Sequence, residues 1–309
     1  MQTGVRRDLV GYGDDYPVNQ WPNGARIAVS LVVHFEEGAE LSPAEEPPGL
    51  GFNVEGYGLG GSAGSRNLTA ESLFEYGTRR GFWRLIELLD RHDIKATFFC
   101  SGRALEQNPV AAREITARGH EVAGHGYRWQ YEYMLSREEE QEHIAKSIQA
   151  IEKTTGQRPV GWNSRGQSVN TRELLVAEGG FIYDSDTYSD DIPYFIEVDE
   201  KRFLTIPYSL DVNDEKFWAH LMLPGFTSSR NFFTMMKGAF DQLYAEGETH
   251  PKMMSVGIHL RISGKPGRAK QIDDFIKYAK GFPHVWFARR VDIAEWWLKK
   301  YSNLTNATE

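Results

Sequence analysis

Two adjacent carboxylates, Glu36 and Glu37, end the apolar run Val29-Ser-Leu-Val-Val-His34-Phe35 and are followed by Gly38. Neighbouring glutamates at such a corner can supply a general base and a second charge or ligand; a solvated corner is the plainer use. Four further polar groups stand in comparable settings. His125 lies in Gly124-His125-Gly126-Tyr127-Arg128-Trp129, where flanking glycines let backbone or substrate approach closely. Arg165, in Asn163-Ser164-Arg165-Gly166, is suited to hold a carbonyl oxygen or a carboxylate. Asp184 and Asp186 sit in Tyr183-Asp184-Ser185-Asp186, and at least one of them reads as a turn-closing residue. His259 ends Val256-Gly257-Ile258-His259, with Arg261 directed to the same side two residues on. Singly these are weak signals, because a lone histidine serves structure more often than chemistry. Jointly they are a base, an acid and a cation, the equipment for hydrolysing an acyl or amide bond.

The elements that must position them repeat along the chain. Apolar runs of strand length are predicted at 26–35, 96–100, 121–124, 159–162, 181–183, 204–206, 253–258 and 285–287. Helices intervene. Phe82, Leu85, Ile86 and Leu89 fall at i, i+3, i+4 and i+7, and Ser136-Arg-Glu-Glu139 is a capping box opening a helix to about Thr155. Further helices are expected at 109–117, 171–178, 229–246, 268–279 and 293–301. Strand–helix alternation without a linker favours one α/β barrel over two domains. Each chemical candidate follows a strand, and a parallel barrel collects strand ends on one rim. Residues 1–25 read as an ordered arm, 26–301 as the barrel and 302–309 as a tail. The segment 39–66, rich in Gly, Pro, Ser and Glu, reads as a long insertion acting as a lid or oligomer contact.

Composition narrows the function. The 309 residues are 40% hydrophobic, enough for a full-sized core. A net charge of −8 argues against nucleic acid and against a basic membrane-binding surface. Cys100, the one cysteine, lies in an apolar run and reads as a buried small hydrophobe. No stretch approaches the roughly 20 apolar residues of a membrane span, and the first residues carry no apolar signal segment. A cytoplasmic protein is expected.

The order of these motifs resembles the polysaccharide deacetylase (NodB-homology) superfamily over roughly residues 26–298, most closely its metal-independent, PuuE-type allantoinase and cyclic amide hydrolase branch. The residues carrying the resemblance are Arg7-Asp8-Leu-Val-Gly-Tyr-Gly13, Phe35-Glu36-Glu37-Gly38, Glu71-Ser72-Leu-Phe-Glu75-Tyr76-Gly77, Gly124 to Trp129, Gly156 to Trp162, Gly179 to Tyr188 and Trp286-Phe287-Ala288-Arg289-Arg290. It implies a distorted (β/α) barrel of the NodB-homology type, a homo-oligomer (dimer or tetramer), and hydrolysis of a carbon–nitrogen amide bond in a small molecule. It puts Glu36 in the place of the superfamily's catalytic base and Glu37 in that of its metal aspartate. His125 takes the place of the first metal histidine, and His259 that of the late histidine that protonates the leaving group. The second metal histidine would fall at Trp129, whose indole cannot ligate. No cofactor is therefore expected; weak divalent metal (zinc) binding, if it occurs, would use Glu37 and His125. His125, Trp129, Arg165, Arg261 and Asp186 are expected to bind substrate. The segment Asn163 to Arg172 and Leu260 depart from the allantoinase pattern, so the substrate can differ while the reaction type is kept. The expected activity is hydrolysis of a cyclic amide, ureide or imide. The alternatives are a metal-dependent deacetylase of an N-acetylated sugar or linear amide, and a non-catalytic binding protein on a decayed barrel.

Overall fold

Side-chain alternation along the first strand sets the layout. In Ile27–Phe35 (β1), Ile27, Val29, Leu31, Val33 and Phe35 belong to the main apolar core under the helices. Ser30, Val32 and His34 face the other way, because strand side chains alternate with a period of two. The whole strand is buried, as expected of a central parallel strand covered on both faces.

This computed structural model describes residues 7–41, 53–54, 59–60, 66–218 and 228–302. After β1, the short strands Asn53–Val54 (β2) and Leu59–Gly60 (β3) pair with each other apart from the main sheet. Leu68–Tyr76 (α1), a π-turn at Gly77–Gly81 and Phe82–Arg91 (α2) lead to Thr97–Cys100 (β4). Gly102–Gln107 (α3), Pro109–Ala117 (α4), Glu121–Gly124 (β5), Arg137–Thr155 (α5), Gly161–Trp162 (β6) and Thr171–Glu178 (α6) follow. Next come Tyr183–Asp184 (β7), the hairpin Tyr194–Val198 (β8) and Lys201–Thr205 (β9), Asp214–Trp218 (α7) and Ser229–Glu246 (α8). The chain closes with Lys252–His259 (β10), Leu260–Ser263 (α9), Pro266–Ala279 (α10), Val285–Phe287 (β11) and Arg290–Tyr301 (α11).

The nine-stranded sheet runs β10-β1-β4-β5-β6-β7-β9-β8, with β11 also on β1. All its pairs are parallel except β8 with β9. It curls into a half-barrel whose open side is crossed by irregular chain: Gly257 N–H donates to Val212 O and Met253 N–H to Asp191 O, each at 2.8 Å. The result is a single distorted (β/α) barrel with no helix among the described residues long and apolar enough to cross a membrane. Inside it Arg290, fully buried, donates to the Ser185 and Ser255 hydroxyls and to the carbonyls of Ile206 and Pro207.

Local signals held where they were local. The Ser136–Glu139 capping box forms, and α5 ends at Gly156 with φ 74°. The strand expected at 204–206 is observed as β9, Lys201–Thr205, and its partner β8 carried no strand signal. Pro193 precedes β8, marking an edge position, and the turn uses Asp199 and Glu200 at φ 49° and 62° where glycine or asparagine is usual. In the described part of the arm, the Tyr12 and Tyr16 hydroxyls donate to Asp190, in the chain after β7, at 2.7 and 2.9 Å. Trp21 packs on Trp286 and Trp297 and donates to Lys252 O at 2.8 Å, sealing the N-terminal ends of β10 and β11. Most of the insertion at 39–66 and of the tail at 302–309 lies outside the described residues.

Candidate active site

Strand register does much of the assembly. His34 of β1 pairs with His259 of β10, and their rings stack 4.3 Å apart at 7°. Glu36, just past β1 and on the same face as His34, projects beside them. His125 follows β5, and its Nδ1 donates to the carbonyl of Asn163 at 2.8 Å in the loop after β6. These groups line a cleft of about 130 Å³ together with Trp129, Arg165 and Tyr188.

One carboxylate is the focus. Glu36 Oε1 lies 3.3 Å from His34 Nδ1, 3.3 Å from His125 Nε2 and 3.7 Å from His259 Nε2. Its Oε2 accepts from the Arg261 guanidinium at 2.7 Å. Burial alone would raise its pKa, but Arg261, His259 and the facing imidazoles hold it well below the usual carboxylate range. Glu36 is an ionised group in a buried position. His34 is pushed down to about 3 by burial and by the neighbouring charge of His259, so its ring is neutral. His259 behaves oppositely. Burial works against its charge, yet Asp214 and Glu36 raise it to about 9. Asp214 accepts from His259 Nδ1 at 2.6 Å and from its backbone N–H at 2.9 Å. This carboxylate opens α7 and had no motif to mark it; the acidic start of a short helix is its one local signal.

Glu36, His125, Trp129, Arg165 and His259 are brought together as the sequence suggests. Three expected residues stand elsewhere. Glu37 turns away: its Oε2 accepts from the Glu36 N–H at 3.2 Å and its Oε1 from the Arg261 N–H at 3.0 Å. It faces a separate cavity of about 510 Å³, and burial lifts it to about 7. Gly77 is required there, since a Cβ would meet Glu37 Oε1 at 2.6 Å. Asp186 is not on the cleft wall. It accepts from Ser164 N–H (2.7 Å), Ser164 Oγ (2.8 Å) and Asn163 Nδ2 (3.1 Å), and so braces the loop whose carbonyl holds His125. Arg261 clamps Glu36 rather than lining the cleft, its guanidinium lying over the rings of Phe74 and Trp129.

Trp129 stacks beneath the Arg165 guanidinium at 3.6 Å, and Tyr131 lies 4.3 Å from the same cation. The pair expected to hold a metal, Glu37 with His125, does not fit, because Glu37 points into the other cavity. The donors that converge are His34, Glu36 and His125, all buried, with ligand atoms within 4.8 Å of one another. His34 was not singled out in the sequence, although its i−2 spacing from Glu36 on a strand was there to be read.

Comparisons with known proteins agree with the fold. A family described as polysaccharide deacetylase matches residues 67–179. A provisionally named polysaccharide deacetylase of Schizosaccharomyces pombe is 38% identical over 96% of this chain and 98% of its own. Among solved structures, a provisionally named polysaccharide deacetylase from Pseudomonas aeruginosa PAO1 superposes with TM-score 0.91 at 42% identity, covering 97% of this chain and all of that one. PuuE allantoinase does so with TM-score 0.91 at 40% identity, covering 97% and 99%. The curled barrel, the acid–base cluster at its strand ends and this full-length kinship together make the chain a member of the polysaccharide deacetylase family, hydrolases acting on carbon–nitrogen bonds.

Proposed function

We propose that the chain hydrolyses a C–N bond in a small cyclic amide, ureide or imide. The observation that carries this reading is the size of the cleft with a full acid–base set inside it. About 130 Å³ lies below the roughly 300–1,000 Å³ of clefts for drug-sized ligands. A compact ring fits such a space.

Arg165, held flat on Trp129 and Tyr131, is placed at the cleft wall to receive a carbonyl oxygen. Glu36 Oε1 orients the attacking water and takes its proton as the new C–O bond forms. His259, kept protonated and aimed by Asp214, gives its Nε2 proton to the nitrogen as the C–N bond breaks. The proton left on Glu36 then returns to His259 Nε2 across 3.7 Å, restoring the starting state. A divalent ion held by His34, Glu36 and His125 would add polarisation of the water or carbonyl. The kinship with PuuE allantoinase supports the ring-opening class.

A second reading, deacetylation of an N-acetylated sugar, is favoured by the relatives' names and by aromatic rings near the cleft. Tyr131 and Tyr133 stack at 5.0 Å, and Tyr188 is 54% exposed. A hydrolysis screen across allantoin, hydantoins, succinimide and N-acetylated sugars separates the two. Turnover of a cyclic amide that is lost in Glu36→Gln supports the first reading. Turnover confined to N-acetylated sugars overturns it.

A further inference from the structure

Two loops of the cleft wall are tied to one helix. The loop after β5 carries Trp129 and the loop after β6 carries Arg165. The Arg165 guanidinium lies 3.6 Å from the centre of the indole and donates to the Trp129 carbonyl at 3.3 Å. Both loops are held by the first turns of α5. Glu140 accepts from the Ser168 and Thr171 hydroxyls, on the Arg165 side. His143, three residues on and so on the same face of the helix, takes the Trp129 side. Its Nε2 accepts the backbone N–H groups of Tyr127 at 3.1 Å and Arg128 at 2.7 Å.

That contact fixes the ring. A nitrogen that accepts two N–H groups presents a lone pair, so the imidazole proton is on Nδ1. Nδ1 is turned to Glu132 Oε2 at 3.4 Å. Glu132 is 1% exposed, and among the described residues neither of its oxygens has a hydrogen-bond partner, so the His143 N–H is the donor that faces it. Glu132 is anchored in turn to the Arg165 loop. Its backbone N–H donates to the Gly166 carbonyl at 3.0 Å, and that of Tyr133 does so at 3.3 Å. One imidazole thus stands between the two loops, although His143 itself does not line the cleft.

We propose that His143 is a positioning residue for Arg165. By ordering the Tyr127–Arg128 backbone it sets the Trp129 ring on which the guanidinium lies, and through Glu132 it steadies the loop from which Arg165 comes. A side chain without an acceptor at 143 leaves two N–H groups to find other partners, so the loop shifts and the guanidinium leaves its place at the cleft wall. The kinetic consequence rests on the reading of Arg165 as the group that receives the carbonyl oxygen. The placement of Arg165 does not.

The experiment compares full-length wild type with His143→Leu, His143→Gln, Arg165→Gln and the His143→Leu/Arg165→Gln double variant. The Arg165 Nε–H resonance, assigned by its loss in Arg165→Gln, is followed in NMR spectra of protein carrying isotope-labelled arginine. It should be shifted by the indole ring current in the wild type. His143→Gln should keep that shift, because the amide oxygen can accept the same two N–H groups, and His143→Leu should lose it. Ile148→Ala, a core change on the same helix, should lower Tm without moving the signal. On the substrate found in the screen, His143→Leu should lower kcat/KM by about 10–100-fold, the size of a hydrogen bond to a charged group. The same change in the Arg165→Gln background, and His143→Gln alone, should each cost less than about 3-fold. Circular dichroism establishes that each variant is folded, and Glu132→Leu, which takes the acceptor from Nδ1, is a second test expected to move the Arg165 signal. A folded His143→Leu that keeps the signal, an equal shift in Ile148→Ala, or a loss of kcat/KM that recurs in full in the Arg165→Gln background overturns the proposal. A signal that moves as expected in a protein that turns over no amide would leave the positioning role standing and refute the hydrolase reading.

Discussion

Replacing Arg261 with methionine should expose the electrostatic cost of the two adjacent glutamates. Arg261 is 6% exposed, Glu36 1% and Glu37 2%. The guanidinium lies 2.7 Å from Glu36 Oε2 and 3.6 Å from Glu37 Oε1. Methionine keeps a flexible apolar stem against Phe74 and Trp129, so the change removes mainly the charge. Breaking a buried pair by deleting one partner costs about 3–5 kcal/mol, and the three imidazoles on Glu36 Oε1 put this case at the lower end. In a chain of 309 residues that is a fall of roughly 5–8 °C in Tm. Urea and thermal unfolding of wild type, Arg261→Met, Glu37→Gln and the double variant form a closed cycle. Glu37→Gln alone should be destabilising, because both Glu37 oxygens accept backbone N–H groups. In the Arg261→Met background it should cost less by at least ~1 kcal/mol, because without the guanidinium Glu37 must either repel Glu36 or take up a proton, and glutamine does neither. A loss under ~1 kcal/mol for Arg261→Met, or additivity within about 0.5 kcal/mol, would refute the argument.

Other expectations concern separate parts of the molecule. Asp214→Asn removes the acceptor that aims His259, and should lower kcat by about 10²–10⁴ with little change in KM, read by steady-state kinetics on the substrate found in the screen. Gly126 and Gly156 both sit at φ 74°, but a Cβ at Gly126 would meet His143 Cε1 at 2.7 Å and Glu132 Oε1 at 2.9 Å, whereas nothing lies near Gly156. Gly126→Ala should therefore be more destabilising than Gly156→Ala by about 1–3 kcal/mol in urea unfolding, and equal costs would contradict the packing argument. Asp273 is pushed up by burial, but hydrogen bonds from Lys277 and His92 bring it down to about 2 from 3.8. A depressed folded pKa gives stability that is full above the unfolded value and is lost as pH falls through the folded one. Asp273→Asn should thus cost about 1–2 kcal/mol at pH 6, allowing for the exposed lysine, and almost nothing at pH 2. A cost that does not change between these two pH values would remove the linkage.

Much of the framework is legible in the chain because its causes are local. Proline at the first helical position and a capping asparagine start α4 at Pro109, Ser136 with Glu139 starts α5, and glycine stops α5 and α6. The placement of Glu36, His125, Arg165 and His259 at strand ends follows from strand–helix alternation, since a parallel barrel has one rim for all of them. Tertiary structure decided what those residues touch. His34 and His259 become neighbours only through the β1–β10 register, 225 residues apart in sequence. Asp214 reaches His259 from a helix that no motif marks, while Asp186, which a motif did mark, braces a loop behind the cleft. Glu36 and Glu37 are chemically identical neighbours, yet one faces three imidazoles and the other a backbone N–H and a second cavity. Consecutive side chains at a strand end point to opposite sides, and the sequence states which residues alternate but not what waits on each side. That depends on which distant segments the fold brings there.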